Sequence, residues 1–267
     1  MKIDNKIIEQ IEKQLNEINA VPFLLCISGS DNYGFSSENN SDVDIRGAYY
    51  LKDPKSMFCL PVERQLTKEG EYLFEGMKYE WQIHEVLKFY GLMGKSNMNI
   101  FDWLYSDDWI VHPPEFFNIT IEKIRNISLD FINQNLIDHT FGWTKHMFNT
   151  NWRDPKKVLH SLRPLMTCLY YLETGNYEPN IQKLVKQDML KKYRNMIIDI
   201  IELKKTGAPT NDLLKQSSIK AFDELKEIIE SKRDKVPRKS DNSDKVNAIV
   251  TDIRFKTIQH YNLMDNY

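Results

Sequence analysis

ISGSDNYGFSSENNSDVDIRG, residues 27–47, joins two apolar runs through a segment made of turn formers. Upstream of it, Phe23-Leu24-Leu25-Cys26-Ile27 is continuously apolar and stops abruptly at Ser28-Gly29-Ser30. That length and that punctuation predict a buried strand. Residues 36–42, SSENNSD, have almost nothing to bury and read as a turn. Val43 to Leu51 then alternates and is rich in Val, Ile and Tyr, which predicts a second strand.

The chemistry-bearing residues of this stretch sit at its two joints. Gly29 allows close approach to the backbone, and the Ser30 hydroxyl with the amides of a following helix start suits a phosphate. Asp42 and Asp44 open the second strand at i and i+2, so they share a face about 7 Å apart. Two carboxylates so placed can hold a pair of divalent ions about 3.5–4 Å apart, which stabilises the attacking and leaving oxygens of an in-line phosphoryl displacement. Mg²⁺ is the expected occupant, two ions with Mn²⁺ as a substitute, because it takes few protein carboxylates and completes its octahedron with water and phosphate.

Outward from this core, Ile7, Ile8, Ile11, Leu15 and Ile18 predict a helix over 6–19. Met57 to Val62 and Met77 to Ile83 are expected strands separated by charged loops. From residue 84 the period turns helical: His84 to Met93, Asn99 to Tyr105, a face of Ile121, Ile124, Ile127, Phe131 and Ile132, then runs over 134–149, 155–174, 181–206, 211–231 and 243–263. Gly175 and Gly207 fall where helix C-caps belong. Residues 231–245 are polar and charged and are expected to be an exposed loop. The fold class is therefore α+β: a small mixed-sheet module over residues 1–110, followed by a mostly α-helical domain over 111–267.

Several classes of function are disfavoured by composition. The net charge is -2, so phosphate affinity must come from local patches rather than a global field. Cys26, Cys59 and Cys168 lie far apart in apolar runs, which reads as buried thiols in a reducing compartment. The longest apolar run, Ala20 to Ile27, is too short to span a bilayer, and the first helix lacks the features of a signal peptide. A cytoplasmic protein without a membrane partner is expected. GxxxxGK[ST], GxGxxG, HExxH and GxSxG are all absent, which leaves P-loop, Rossmann, zincin and hydrolase readings without support.

Gly29-Ser30 with Asp42 and Asp44 resembles the signature of the DNA polymerase β-type nucleotidyltransferase superfamily. Tyr33-Gly34 and Ser41-Asp42-Val43-Asp44-Ile45-Arg46-Gly47 resemble one branch, the predicted nucleotidyltransferases associated with RNA-repair ligases. His84-Glu85-Val86-Leu87-Lys88-Phe89, Asn97, Trp103-Leu104, the segment Lys156 to Arg163, Thr174-Gly175 and the Val236-Pro237 loop extend the resemblance. The resemblance implies an enzyme in which Asp42 and Asp44 bind metal, while Gly29, Ser30 and Arg46 belong to the nucleotide site. It also implies a third acid on a neighbouring strand, by position Glu80, acting as metal ligand and general base. Glu75 and Glu85 are rivals for that place. Two departures stand out: the third acid is commonly aspartate, and Asp31 replaces the histidine usual after Gly-Ser.

A basic segment completes the reading. Lys145, Arg153, Lys156, Lys157 and Arg163 stand against a single acid, Asp154, with His146 and His160 interleaved with Trp143 and Trp152. On a helix starting near Pro155, Lys156, His160 and Arg163 form one stripe. A solvated cationic face is the plain alternative, but with the resemblance Lys145, His160 and Arg163 are expected on the substrate side, and His146 in packing. The function expected is metal-dependent transfer of a nucleoside monophosphate from a nucleoside triphosphate to an acceptor hydroxyl, with release of pyrophosphate. RNA is favoured as acceptor by the family's association alone. A non-catalytic nucleotide- or RNA-binding relative, and an enzyme acting on a protein or small molecule, are the alternatives.

Overall fold

β1 (Ala20–Ser28) and β2 (Asp42–Leu51) pair antiparallel at the centre of the sheet, as the apolar runs predict. The structure is a computed structural model and describes residues 3–37, 42–58, 66–148 and 152–262. Before β1 comes helix α1 (Asn5–Asn16), whose Ile7, Ile11 and Leu15 are buried and whose N-cap Asp4 accepts from the Lys6 amide. Between β1 and β2 lies one short turn of helix, α2 (Gly29–Asn32). Helix α3 (Pro54–Phe58) follows β2, then the hairpin β3 (Thr67–Phe74) and β4 (Met77–Glu85). The hairpin turns at Glu75-Gly76, both at positive φ (50° and 80°), the conformation a two-residue hairpin of right-handed strands prefers.

β4 runs parallel to β2, and β5 (Trp109–Val111) closes the far edge, so the sheet order is β3-β4-β2-β1-β5. The β2–β4 register places Asp44 opposite Glu80, and the β1–β2 register places Ser28 opposite Asp44.

Period-two alternation assigns the two faces of the sheet. Leu25, Ile27, Val43, Ile45, Trp81 and Ile83 join α1 in one buried cluster. Leu24, Cys26, Ala48 and Tyr50 point the other way, into a larger cluster with α4 (Val86–Gly94), α5 (Met98–Leu104) and the later helices. Those are α6 (Ile121–Leu129), α7 (Asn135–Phe148), α8 (Pro155–Thr174), α9 (Ile181–Leu184), α10 (Arg194–Thr206), α11 (Asp212–Ser231) and α12 (Ser243–His260). This larger core is continuous on both sides of residue 110. Asp42 and Asp44 share the face of Ala48 and Tyr50, at the end of β2 where it begins.

Several expectations need correction. Residues 54–58 are helical, not the start of a strand, and the rest of the 57–62 run lies outside the described residues, as do Ser41 and Cys59. β3 was expected as a charged loop; it is an edge strand with no fully buried residue, and lysine and glutamate on an edge are compatible with pairing. The helix expected over 181–206 is broken into α9 and α10, joined through turns and a 3₁₀ turn over Lys191–Tyr193. The loop after α11 is not merely exposed. Val236 is buried, the Pro237 carbonyl accepts from the Gln134 amide, and the Asn242 side chain donates to the Gly94 carbonyl.

Candidate active site

β1 delivers the chain into α2 through Gly29, which has φ +66°. A Cβ placed there would lie 2.0 Å from Asp44 Oδ2, so both the backbone conformation and the neighbouring carboxylate demand glycine. The Gly-Ser turn and the carboxylate strand therefore touch, with the turn folded back over Asp44.

Segment 29–35 is held from the helical side by four elements. The Asn32 amide group donates to the Asp102 carbonyl on α5 at 2.7 Å. Gly34, at φ +77°, abuts Asn180, the N-cap of α9, and the Ile181 amide donates to the Tyr33 carbonyl at 3.0 Å. Gln182 donates to the Gly34 carbonyl, and Lys204 Nζ of α10 to the Phe35 carbonyl at 2.7 Å. From α8, the His160 ring packs edge-on against Tyr33 and Phe35, and the Arg163 guanidinium lies 3.8 Å from the Tyr33 ring centre.

The acids are not left as a bare cluster. Arg46 Nη2 donates to Asp44 Oδ1 at 2.6 Å, and its Nη1 reaches the Glu80 carbonyl at 3.3 Å. Lys78 bridges Glu80 and Glu71, on the exposed rim of the hairpin. Burial raises Asp44 above the usual carboxylate range; Arg46 opposes this, while Asp42 and Glu80 add to it and Lys156 lowers it. The Lys78 hydrogen bond holds Glu80 below its ordinary value. Among the described residues, no three acid, histidine or cysteine side chains converge as one metal cage. The donor set still fits Mg²⁺, which needs only one or two carboxylates when substrate phosphate and water fill its sphere. Asp42 and Asp44 meet that need; Glu80 would join only on leaving Lys78.

Each expected site residue has a definite place. Gly29, Ser30, Asp42, Asp44 and Glu80 come together at one end of the sheet, and Arg46 joins them as the partner of Asp44. The rivals of Glu80 are elsewhere: Glu75 is in the hairpin turn, and Glu85 is buried, capping α4 through the Leu87 amide at 2.7 Å.

Arg163 is corrected from substrate side to interior. It is 2% exposed and makes two bonds to the carboxylate of Asp102, at 3.0 and 2.8 Å; Tyr177 donates to the same carboxylate at 2.8 Å. His160 is half-buried by relative exposure; desolvation, with Arg163 and Lys156 nearby, lowers its pKa to about 3, so it is a neutral packing ring rather than a cation. The stripe of Lys156, His160 and Arg163 thus runs from solvent into the core, and Lys156 alone presents charge. Lys145 is exposed on α7, and no contact among the described residues ties it to the acidic strands; His146 is exposed too, not packed.

Two lysines lie close to the acidic strands and the Gly-Ser turn. Lys156, in the first turn of α8, is exposed and its charge acts on Asp44 and Glu80. Lys204 reaches the site from α10 and was not singled out from sequence. It looks like an ordinary surface lysine in Lys204-Lys205, and only the tertiary fold brings it to Phe35.

A central β-strand ending in a Gly-Ser turn folded over a paired-carboxylate strand, beneath a helical body, defines a polymerase β-like nucleotidyltransferase. The chain belongs to RlaP, the RNA repair pathway DNA polymerase beta family, whose model matches residues 3–252. It is also similar to an uncharacterized protein of Methanocaldococcus jannaschii, 27% identical over 213 residues that cover 77% of this chain and 82% of the relative. Among solved structures it is similar to a nucleotidyltransferase-like protein from Exiguobacterium sibiricum 255-15. That likeness has a TM-score of 0.33 and 12% identity, over 85% of this chain and 74% of the other.

Proposed function

We propose that this chain transfers a nucleoside monophosphate from a nucleoside triphosphate to an acceptor hydroxyl, with Mg²⁺ bound by Asp42 and Asp44. The observation that carries the reading is the contact between Gly29 and the Asp44 carboxylate. It sets a phosphate-holding turn directly against two acids of one strand face. The acceptor oxygen would bond to the α-phosphorus as the bond from the α-phosphorus to the oxygen bridging to the β-phosphate breaks; pyrophosphate leaves with that oxygen, and the hydroxyl proton passes to solvent water. Mg²⁺, when bound, supplies positive charge to the phosphate oxygens. Ser30 and the first amides of α2 would hold phosphate, and Arg46 opposes the upward shift that burial imposes on Asp44. Glu80, lowered by Lys78, suits charge stabilisation better than proton abstraction at neutral pH. RNA as the acceptor is supported by the family's description.

A nucleotide-binding relative without turnover is the second reading, favoured by the pairing of Arg46 with Asp44 and Lys78 with Glu80. To decide, the protein is incubated with Mg²⁺, α-labelled nucleoside triphosphates and a pooled small-RNA extract, beside Asp42→Ala/Asp44→Ala. Label on RNA that is lost in the double variant supports the proposal. Label on protein or a small molecule keeps the chemistry and overturns the acceptor. Tight nucleotide binding without transfer, across metals and acceptors, establishes the second reading.

A further inference from the structure

Asp31 follows Gly29-Ser30 directly and puts a negative charge beside the turn that would hold phosphate. Lys204 arrives at the same turn from α10. Its Nζ donates to the Phe35 carbonyl and lies 5.5 Å from the Phe35 ring centre, and the Phe35 amide in turn donates to the Ser30 carbonyl at 3.1 Å. A single carbonyl uses one of the three donors of an ammonium. The charges of Asp31 and Asp42 both act on Lys204, as does that of Lys156. Half-burial keeps that charge less screened than at an open surface. Of the other cations, Arg46 is bound to Asp44 and Lys78 to Glu80, while Lys156 stands exposed in the first turn of α8.

We propose that Lys204 is the counter-charge that offsets Asp31 and lets this site accept the terminal phosphates of a nucleoside triphosphate. The inference rests on the nucleotidyl-transfer reading, and it makes Lys204 and Asp31 a compensating pair contributed by distant parts of the chain. Burial, then Lys156, holds Lys204 below the usual lysine range, with Asp31 and Asp42 acting in the opposite sense. The two acids therefore help to keep it protonated.

The test is calorimetric titration of the Mg²⁺ complexes of α,β-methylene nucleoside triphosphates into wild type, Lys204→Met, Lys204→Arg, Asp31→Asn and Asp31→Asn/Lys204→Met. Losing a charge-assisted contact to phosphate should weaken binding about tenfold or more in Lys204→Met. Lys204→Arg should retain most affinity, and Asp31→Asn in the Lys204→Met background should recover most of the loss. Equal affinity of Lys204→Met and wild type overturns the inference and leaves the proposed function standing. A double variant as weak as Lys204→Met removes Asp31 from the pairing and also overturns it. Wild type that binds none of the analogues overturns the nucleotidyl-transfer reading itself, and this inference with it.

Discussion

Gly29 and Arg46 show how tightly single residues are fixed by the carboxylate they share. At Gly29 the φ of +66° would strain any other residue, and a methyl group would meet Asp44 Oδ2. Gly29→Ala should cost about 1–3 kcal/mol of stability. It should also reduce Mg²⁺-dependent nucleotide affinity far more than melting, because it displaces Asp44; titration beside a thermal melt separates the two. A melt shift with affinity intact would show that the turn and the acid do not act together. Arg46 opposes the upward shift that burial imposes on Asp44. If Asp44 binds metal as proposed, it must be ionised to do so, and Arg46→Gln should move the acidic limb of Mg²⁺-dependent nucleotide binding to higher pH. A pH profile with an unmoved limb would deny Arg46 that role. Asp31 belongs to the same scale. As a sequence feature it is an unfavourable charge, and the counter-charge proposed for it, Lys204, comes near only through the tertiary fold.

At the scale of elements, α8 ties the site to the helical body through the pair Arg163–Asp102, with Tyr177 on the same carboxylate and Tyr33 under the guanidinium. Removing one member leaves a buried charge unpaired. Arg163→Met and Asp102→Leu should each cost about 3–5 kcal/mol in urea unfolding, and the double variant clearly less than their sum. Additive losses would mean that the pair is not energetically coupled. The same helix shows what the sequence could and could not tell. Its ends were legible, because Pro155 and Gly175 punctuate them and Gly175 is left-handed at φ 72°. β1 and β2 were legible too, since buried central strands must be apolar and Gly29-Ser30 must interrupt them. The inward turn of Arg163 was not, because helical spacing assigns a face without saying which neighbour covers it. β3 and β5 escaped for a related reason: neither has a fully buried residue to give an apolar pattern. Lys204 escaped because its significance depends on a contact with Phe35, 169 positions away.

At the scale of the whole molecule, buried His84 and half-buried His160 contribute to the acid response. Burial lowers His84 to about 4 and His160 to about 3, against an ordinary value of 6.5. The unfolded chain then binds protons that the folded chain refuses, so their contribution is complete above about pH 6.5 and is lost as pH falls below it. Asp44 and Glu178, raised by burial, act in the opposite sense. His160→Phe should therefore unfold at nearly wild-type urea concentration near pH 7.5 and show a smaller drop between there and pH 5; an identical drop would place the response elsewhere. With a net charge of -2, attraction of a polyanion would have to be local, and Lys156 and Lys204 are lysines placed beside the acids. The central claim concerns what those charges serve, and pyrophosphate release under Mg²⁺ is its most direct measure. Wild type given a nucleoside triphosphate and RNA should release pyrophosphate in step with nucleotide incorporated, and Asp42→Asn/Asp44→Asn should release none while remaining folded. Release that persists in the double variant, or its absence from wild type that binds the nucleotide, would contradict the account.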